Sequence, residues 1–164
     1  LATGHVRPRA TVCCRLGDHL EQAAKGADIA TVRGGTYLVM EGPQFSTRAE
    51  STLYKENWGC DVIGMTNVPE MNLAREAQLC YSSIAMVTDF DCWHEGHGAV
   101  SVDEIIKVMQ QNVENSQNLL KAIVKKISNG DHSCNSGCAS SLKTALITSQ
   151  GRDNSVLKAL GVNP

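Results

Sequence analysis

Residues 60–88 read CDVIGMTNVPEMNLAREAQLCYSSIAMVT, and the order of patterns along them decides the fold class. CDVIGM (60–65) is a short, nearly continuous apolar run, as in a strand buried on both faces. NVPEMNLAREAQ (67–78) then sets Pro69 in a first helical turn, with Met71, Ala74 and Ala77 on one face. CYSSIAMVT (80–88) is a second buried strand by the same pattern. Strand, helix and strand joined this tightly predict parallel strands with helices packed on them, an α/β fold.

The flanks continue the alternation. TYLVME (36–41) is rich in strand formers and stops at Gly42-Pro43. TRAESTLYKENWG (47–59) opens with Thr47 and Glu50 in capping-box spacing and closes on Gly59, which predicts a helix. A long helix is expected from Ser101, with Glu104 three residues on and an apolar stripe through Ile105, Met109, Val113, Leu120, Ile123 and Ile127. Asn129-Gly130 would end it. GDHLEQAAKGA (17–27) reads as a short helix, and SGCASSLKTALITSQ (136–150) suggests a last one.

The totals narrow the functional classes. The 164 residues suit one domain with a real core, and a hydrophobic fraction of 42% is ordinary for a globular chain. Fifteen Lys and Arg against 17 Asp and Glu give a net charge of −2, with no basic field for nucleic acid. No run has the length of a membrane span and no signal peptide opens the chain, so no membrane partner is expected. Seven cysteines, an odd count, read as buried thiols of an intracellular, cytoplasmic protein. The first residue is Leu1, which points to a processed or partial chain.

In parallel sheets, ligands sit beyond the carboxyl ends of the strands. Those ends read Glu41-Gly42-Pro43-Gln44-Phe45-Ser46, Met65-Thr66-Asn67 and Thr88-Asp89-Phe90-Asp91. Aromatic, sulfur, hydroxyl and carboxylate groups on one rim would suit a small, flat ligand with a polar edge. The same residues also serve as turn and cap residues, and pattern alone leaves both readings open.

MEGPQFSTRAES (40–51), the stretch from Gly59 to Trp93, and AVSVDEIIKVMQQN (99–112) together resemble the methylthioadenosine phosphorylases of the trimeric purine nucleoside phosphorylase family. The resemblance is strongest over 34–127 and implies a single, incomplete domain over 1–164. The implied fold is a phosphorylase/hydrolase-like α/β fold, a mixed central sheet flanked by helices. The implied reaction is phosphorolysis of a purine nucleoside: S-methyl-5′-thioadenosine and phosphate give adenine and S-methyl-5-thioribose 1-phosphate. Inorganic phosphate is a co-substrate, and neither a cofactor nor a metal is expected.

Residue by residue, the resemblance implies that Phe45 packs on the purine, with Ser46 beside the base. It puts Met65 under the ribose and Thr66 on phosphate. Thr88, Asp89 and Asp91 would contact the base, the two aspartates in a catalytic role. Val102, Ile105 and Ile106 would line the methylthio side. His5 would complete a neighbouring subunit's site in a homotrimer. Two departures stand out: the family's glycine-rich phosphate loop and Arg-His pair belong to an N-terminal half not present here, and RPRAT (7–11) replaces an apolar-acidic-proline stretch.

The acidic pair bears on base choice. Adenine's N7/N6 edge presents an acceptor and a donor, and a protonated carboxylic acid offers the reverse. Protonation or hydrogen bonding at N7 stabilises the purine as it leaves, and burial beside a second carboxylate raises the pKa of such an acid. A 6-oxopurine would favour asparagine. The alternatives are a 6-oxopurine phosphorylase, or a catalytically silent fragment without the phosphate site. A Mg²⁺-binding D-x-D lacks a basic diphosphate cluster, and an EF-hand would need an oxygen ligand where Trp93 stands. His94 and His97 lack the H-E-x-x-H spacing and read as loop residues. Cys134 and Cys138, in C-x₃-C, are either a redox pair or unpaired thiols.

Overall fold

A computed structural model of the chain describes residues 12–94, 102–128 and 134–143. Along them run helix α1 (Cys14–Gly26), strand β1 (Tyr37–Val39), helix α2 (Arg48–Thr52), strand β2 (Val62–Gly64), helix α3 (Asn67–Glu76) and helix α4 (Val102–Ser128). A π-helical turn (Leu53–Asn57) continues α2, and a 3₁₀ turn (Cys138–Ser140) follows α4. None of these helices is long and apolar enough to cross a membrane.

β1 and β2 pair in parallel, with Tyr37 opposite Val62 and Val39 opposite Gly64. The expected α/β order is present, and the sheet among the described residues is this one parallel pair. The Tyr37 ring lies over Gly64, where a Cβ would come 2.0 Å from the Tyr37 hydroxyl oxygen and force the ring to move. The crossover between the strands carries α2, whose start follows the sequence reading. The Thr47 side chain accepts from the Glu50 N–H, while its backbone N–H donates to the Glu50 carboxylate at 2.7 Å. That backbone bond and the Thr47 hydroxyl hold the Glu50 carboxyl below its usual range. Gly59, at φ +63°, ends the segment as expected.

α3 departs from a regular helix at Val68 (φ −119°, ψ 131°), since the residue before a proline is pushed towards extended backbone. Met71 is its buried anchor.

Residues 80–88 correct an expectation. They run without ladder partners among the described residues, and Ile84, Met86 and Val87 are exposed rather than buried. Side chains and single backbone bonds hold them instead. Cys13 N–H donates to the Tyr81 carbonyl at 2.7 Å, Tyr81 and Ser83 hydroxyls donate to Asn67, and Asn112 on α4 donates to the Val87 carbonyl at 2.9 Å.

The core sits at one end. Ala23 and Ala24 of α1 meet Leu119 and Ile123 of α4, which are 2% and 4% exposed, with Leu20, Ile29, Ala122 and Ile127 packed around them. Small alanines let the helix axes approach, and the α4 leucine and isoleucine fill the space. The expected apolar stripe of α4 is therefore only partly used: Ile123 and Ile127 pack, whereas Met109, Val113 and Leu120 are exposed. α1 reaches only the carboxyl-terminal part of a 27-residue helix.

Beside the start of α1, the thiols of Cys13, Cys80, Cys134 and Cys138 converge, with all four sulfurs within 4.8 Å of one another. Burial opposes ionisation of Cys134, yet the backbone N–H groups of Cys138 and Ser136 act on its sulfur and bring its pKa down to about 6. Burial, and then the hydrogen bond with Cys134, push the Cys138 thiol strongly up. The expected last helix is a single 3₁₀ turn over Cys138–Ser140 within the described residues.

Candidate functional site

The β1–β2 pair, from Tyr37 and Val62 to the residues beyond the strands' carboxyl ends, and the 84–94 segment line a cleft of about 1120 Å³. Because the pair is parallel, both strands deliver their following residues to the same edge of it. From the first strand's exit come Phe45 and Ser46, and from the second Met65 and Thr66. Thr88, Asp89 and Asp91 close the opposite wall, and Ile105 of α4 reaches the cleft. Eight of the residues singled out from sequence thus line one space.

Two of the remaining three do not. Val102 and Ile106 are 70% and 45% exposed on α4 and stand outside the lining, although Ile105 between them reaches it. His5 lies outside the described residues, as do His97 and residues 7–11.

Polar contacts orient the acidic wall. The Ser51 hydroxyl donates to Asp91 Oδ2 at 2.7 Å, and the Cys92 N–H donates to Asp91 Oδ1 at 2.8 Å. Both oxygens of Asp91 are therefore fixed, each with acceptor capacity left over. Ser51 is 1% exposed, so this bond is sheltered from water. Asp89 is exposed and accepts from the Thr88 hydroxyl at 2.5 Å through Oδ1. The two carboxylates are held differently: one is locked by two donors, the other is tethered by one.

Aromatic and sulfur groups supply the apolar surfaces. Phe45 is 84% exposed at the cleft, and Ser46 donates to Met40 Sδ at 3.7 Å. Phe90 stacks on His94 with centroids 4.5 Å apart, and Trp93 carries the Lys55 ammonium 2.9 Å from its ring centroid. His94 is a loop residue, as expected, and it also lines the cleft. The Cys92 thiol donates to the Ser46 carbonyl at 3.4 Å, joining the two walls.

Ser51 was not visible as a site residue from sequence. It lies inside α2, and only its contact with a residue 40 positions away gives it a role. Lys55 and Trp93 were missed for the same reason, since their pairing depends on how the π-helical turn meets the 88–94 segment.

The sequence pattern of the phosphorylase superfamily matches residues 3–125, which is most of the chain. The chain belongs to the phosphorylase superfamily. A relative from Rhodospirillum rubrum, an S-methyl-5′-thioadenosine phosphorylase, is 49% identical over 150 residues, covering 92% of this chain and 51% of the relative. Among solved structures, a methylthioadenosine phosphorylase from an antarctic soil metagenomic library superposes with a TM-score of 0.82 at 39% identity. It covers 97% of this chain and 57% of that one. The methylthioadenosine phosphorylase of Schistosoma mansoni in complex with adenine superposes at 0.71 with 35% identity, over 79% of this chain and 51% of that one. The chain spans about half the length of the relatives it matches.

Proposed function

We propose that this chain forms the base and ribose side of a site for phosphorolysis of S-methyl-5′-thioadenosine. The products are adenine and S-methyl-5-thioribose 1-phosphate. The observation that carries the reading is the acidic wall, with Asp91 locked by Ser51 and the Cys92 N–H beside the tethered Asp89, in a cleft that also holds Phe45 and Met65. The names of the matched relatives support the same substrate.

A phosphate oxygen forms a bond to C1′ as the C1′–N9 bond breaks, and the electron pair of that bond passes into the purine. Asp91, fixed as an acceptor, receives a hydrogen bond from the exocyclic amine. Asp89 faces N7 with its free oxygen, and a proton taken from solvent and shared between that oxygen and N7 offsets the charge building on the leaving purine. Phe45 covers the base, Met65 lies under the ribose, and Thr66 takes part of the phosphate. Ile105, with Val102 and Ile106 once α4's first turns are covered, borders the methylthio group. The rest of the phosphate site comes from the part of the relatives' length that this chain does not share.

The working protein is a homotrimer in which His5 completes a neighbour's pocket, acting in purine and methionine salvage in the cytoplasm. Sedimentation of a fully active monomer would remove His5 from the site. The substrate reading is tested by changing Asp89 and Asp91 together to asparagine in the full-length protein. Two mismatched hydrogen bonds, each worth about 1–3 kcal/mol once the bound base shields them from water, shift the methylthioadenosine-to-methylthioinosine ratio of kcat/KM by roughly two to four decades. An unchanged ratio would return both aspartates to the role of turn residues.

A further inference from the structure

The cleft does not use the four-cysteine cluster, which the fold assembles from separate stretches. Cys13 precedes α1, Cys80 follows α3, and Cys134 and Cys138 follow α4. A buried thiol packs as a small apolar group and needs no second sulfur beside it. Here four sulfurs meet at one point, while Cys14 and Cys92 lie exposed outside the cluster. Cys13 and Cys138 are buried, and Cys80 and Cys134 half-buried.

The spacing is that of a coordination shell. A tetrahedral zinc ion with Zn–S bonds of about 2.3 Å sets its four sulfurs about 3.8 Å apart. The Cys13 and Cys134 sulfurs are 3.5 Å apart, and no pair in the cluster exceeds 4.8 Å. C-x₃-C falls within the ligand spacing of structural zinc sites. Gly137, at φ +68°, allows the turn between Cys134 and Cys138.

Charge is also provided for. Four thiolates around a dication leave two negative charges, and two guanidinium groups face the cluster. Arg15 hydrogen-bonds with Cys80, and Arg75 Nη1 lies 4.0 Å from Cys138 Sγ.

We propose that Cys13, Cys80, Cys134 and Cys138 form a closed, structural Cys₄ site for a thiophilic divalent cation, zinc in the first instance. On binding, each S–H gives its proton to solvent and each sulfur donates an electron pair to the ion; nothing is oxidised or reduced. Four cysteine ligands leave no open position, so the ion ties four segments together and takes no part in the reaction.

The test uses the native full-length protein, purified under reductant without chelator. Elemental analysis is expected to find about one zinc per chain, and replacement by cobalt(II) is expected to give the intense visible bands of a tetrahedral thiolate site. Iodoacetamide should label Cys14 in the metal-loaded protein and reach the four cluster cysteines only after chelation. Cys138→Ser should abolish the cobalt bands while Cys14→Ser retains them. If Cys138→Ser fails to fold, the labelling pattern of the unaltered protein still decides. Failure to retain zinc after anaerobic reconstitution would overturn the proposal. So would equal labelling of cluster and control cysteines, or a mass showing the four sulfurs paired as disulfides.

Discussion

The two ends of the molecule are built on opposite terms. At the α1–α4 end, Ala23, Ala24, Leu119 and Ile123 are buried against one another. At the cleft end, Phe45, Val87 and Phe90 stand exposed, and two short strands are the whole of the ladder among the described residues. The packed end binds the chain to itself by contacts between residues about a hundred positions apart. The cleft end spends its apolar surface on an open wall with oriented polar groups. Stability is concentrated where chemistry is absent, and the residues able to recognise a ligand sit where packing is thin.

The sharpest break of that contrast is a pair of truncations on one helix. Ile123→Ala removes a buried side chain from the α1–α4 contact and should cost about 2–5 kcal/mol. Val113→Ala, ten positions earlier on α4 and 55% exposed, should change stability by less than about 0.5 kcal/mol. Urea unfolding of both variants measures the difference. Equal costs would mean that the front of α4 is covered after all, and that the two ends are not distinct.

Ser51 sharpens the comparison from the other side, because it is a fully buried group serving the open cleft. Ser51→Ala deletes the bond to Asp91 Oδ2 and leaves one carboxylate oxygen without its hydroxyl partner. A loss of about 1–3 kcal/mol in transition-state stabilisation, roughly ten- to a hundredfold in kcat/KM, is expected for methylthioadenosine in the full-length protein. Wild-type kinetics in this variant would show that Asp91 is oriented by the Cys92 N–H alone.

Local rules made much of this legible in the sequence. The capping box at Thr47 and Glu50, the stop at Gly59 and the apolar runs at 36–41 and 60–65 each report on a few neighbouring residues, and each appears where the pattern puts it. The strand expected at 80–88 has no ladder partner among the described residues, and apolar patterning says nothing about whether a partner is present. The α4 stripe was overread for the same reason: periodicity gives a face, not its neighbour. Among site residues, the strand-end positions were readable because parallel strands deliver their ends to one edge. Ser51 and the cysteine cluster were not, since each depends on contacts between distant segments. The resemblance to a known family, more than any pattern, singled out Asp89 and Asp91.

Whether the acidic wall reads a 6-aminopurine is measured by calorimetric titration of the free bases, which requires no phosphate site. Adenine should bind at least about tenfold more tightly than hypoxanthine, since one mismatched hydrogen bond in the cleft is worth about 1–3 kcal/mol. The preference should vanish or reverse when Asp89 and Asp91 are both asparagine. Equal affinities for the two bases in the unaltered protein, or the same adenine preference in the double variant, would contradict the account.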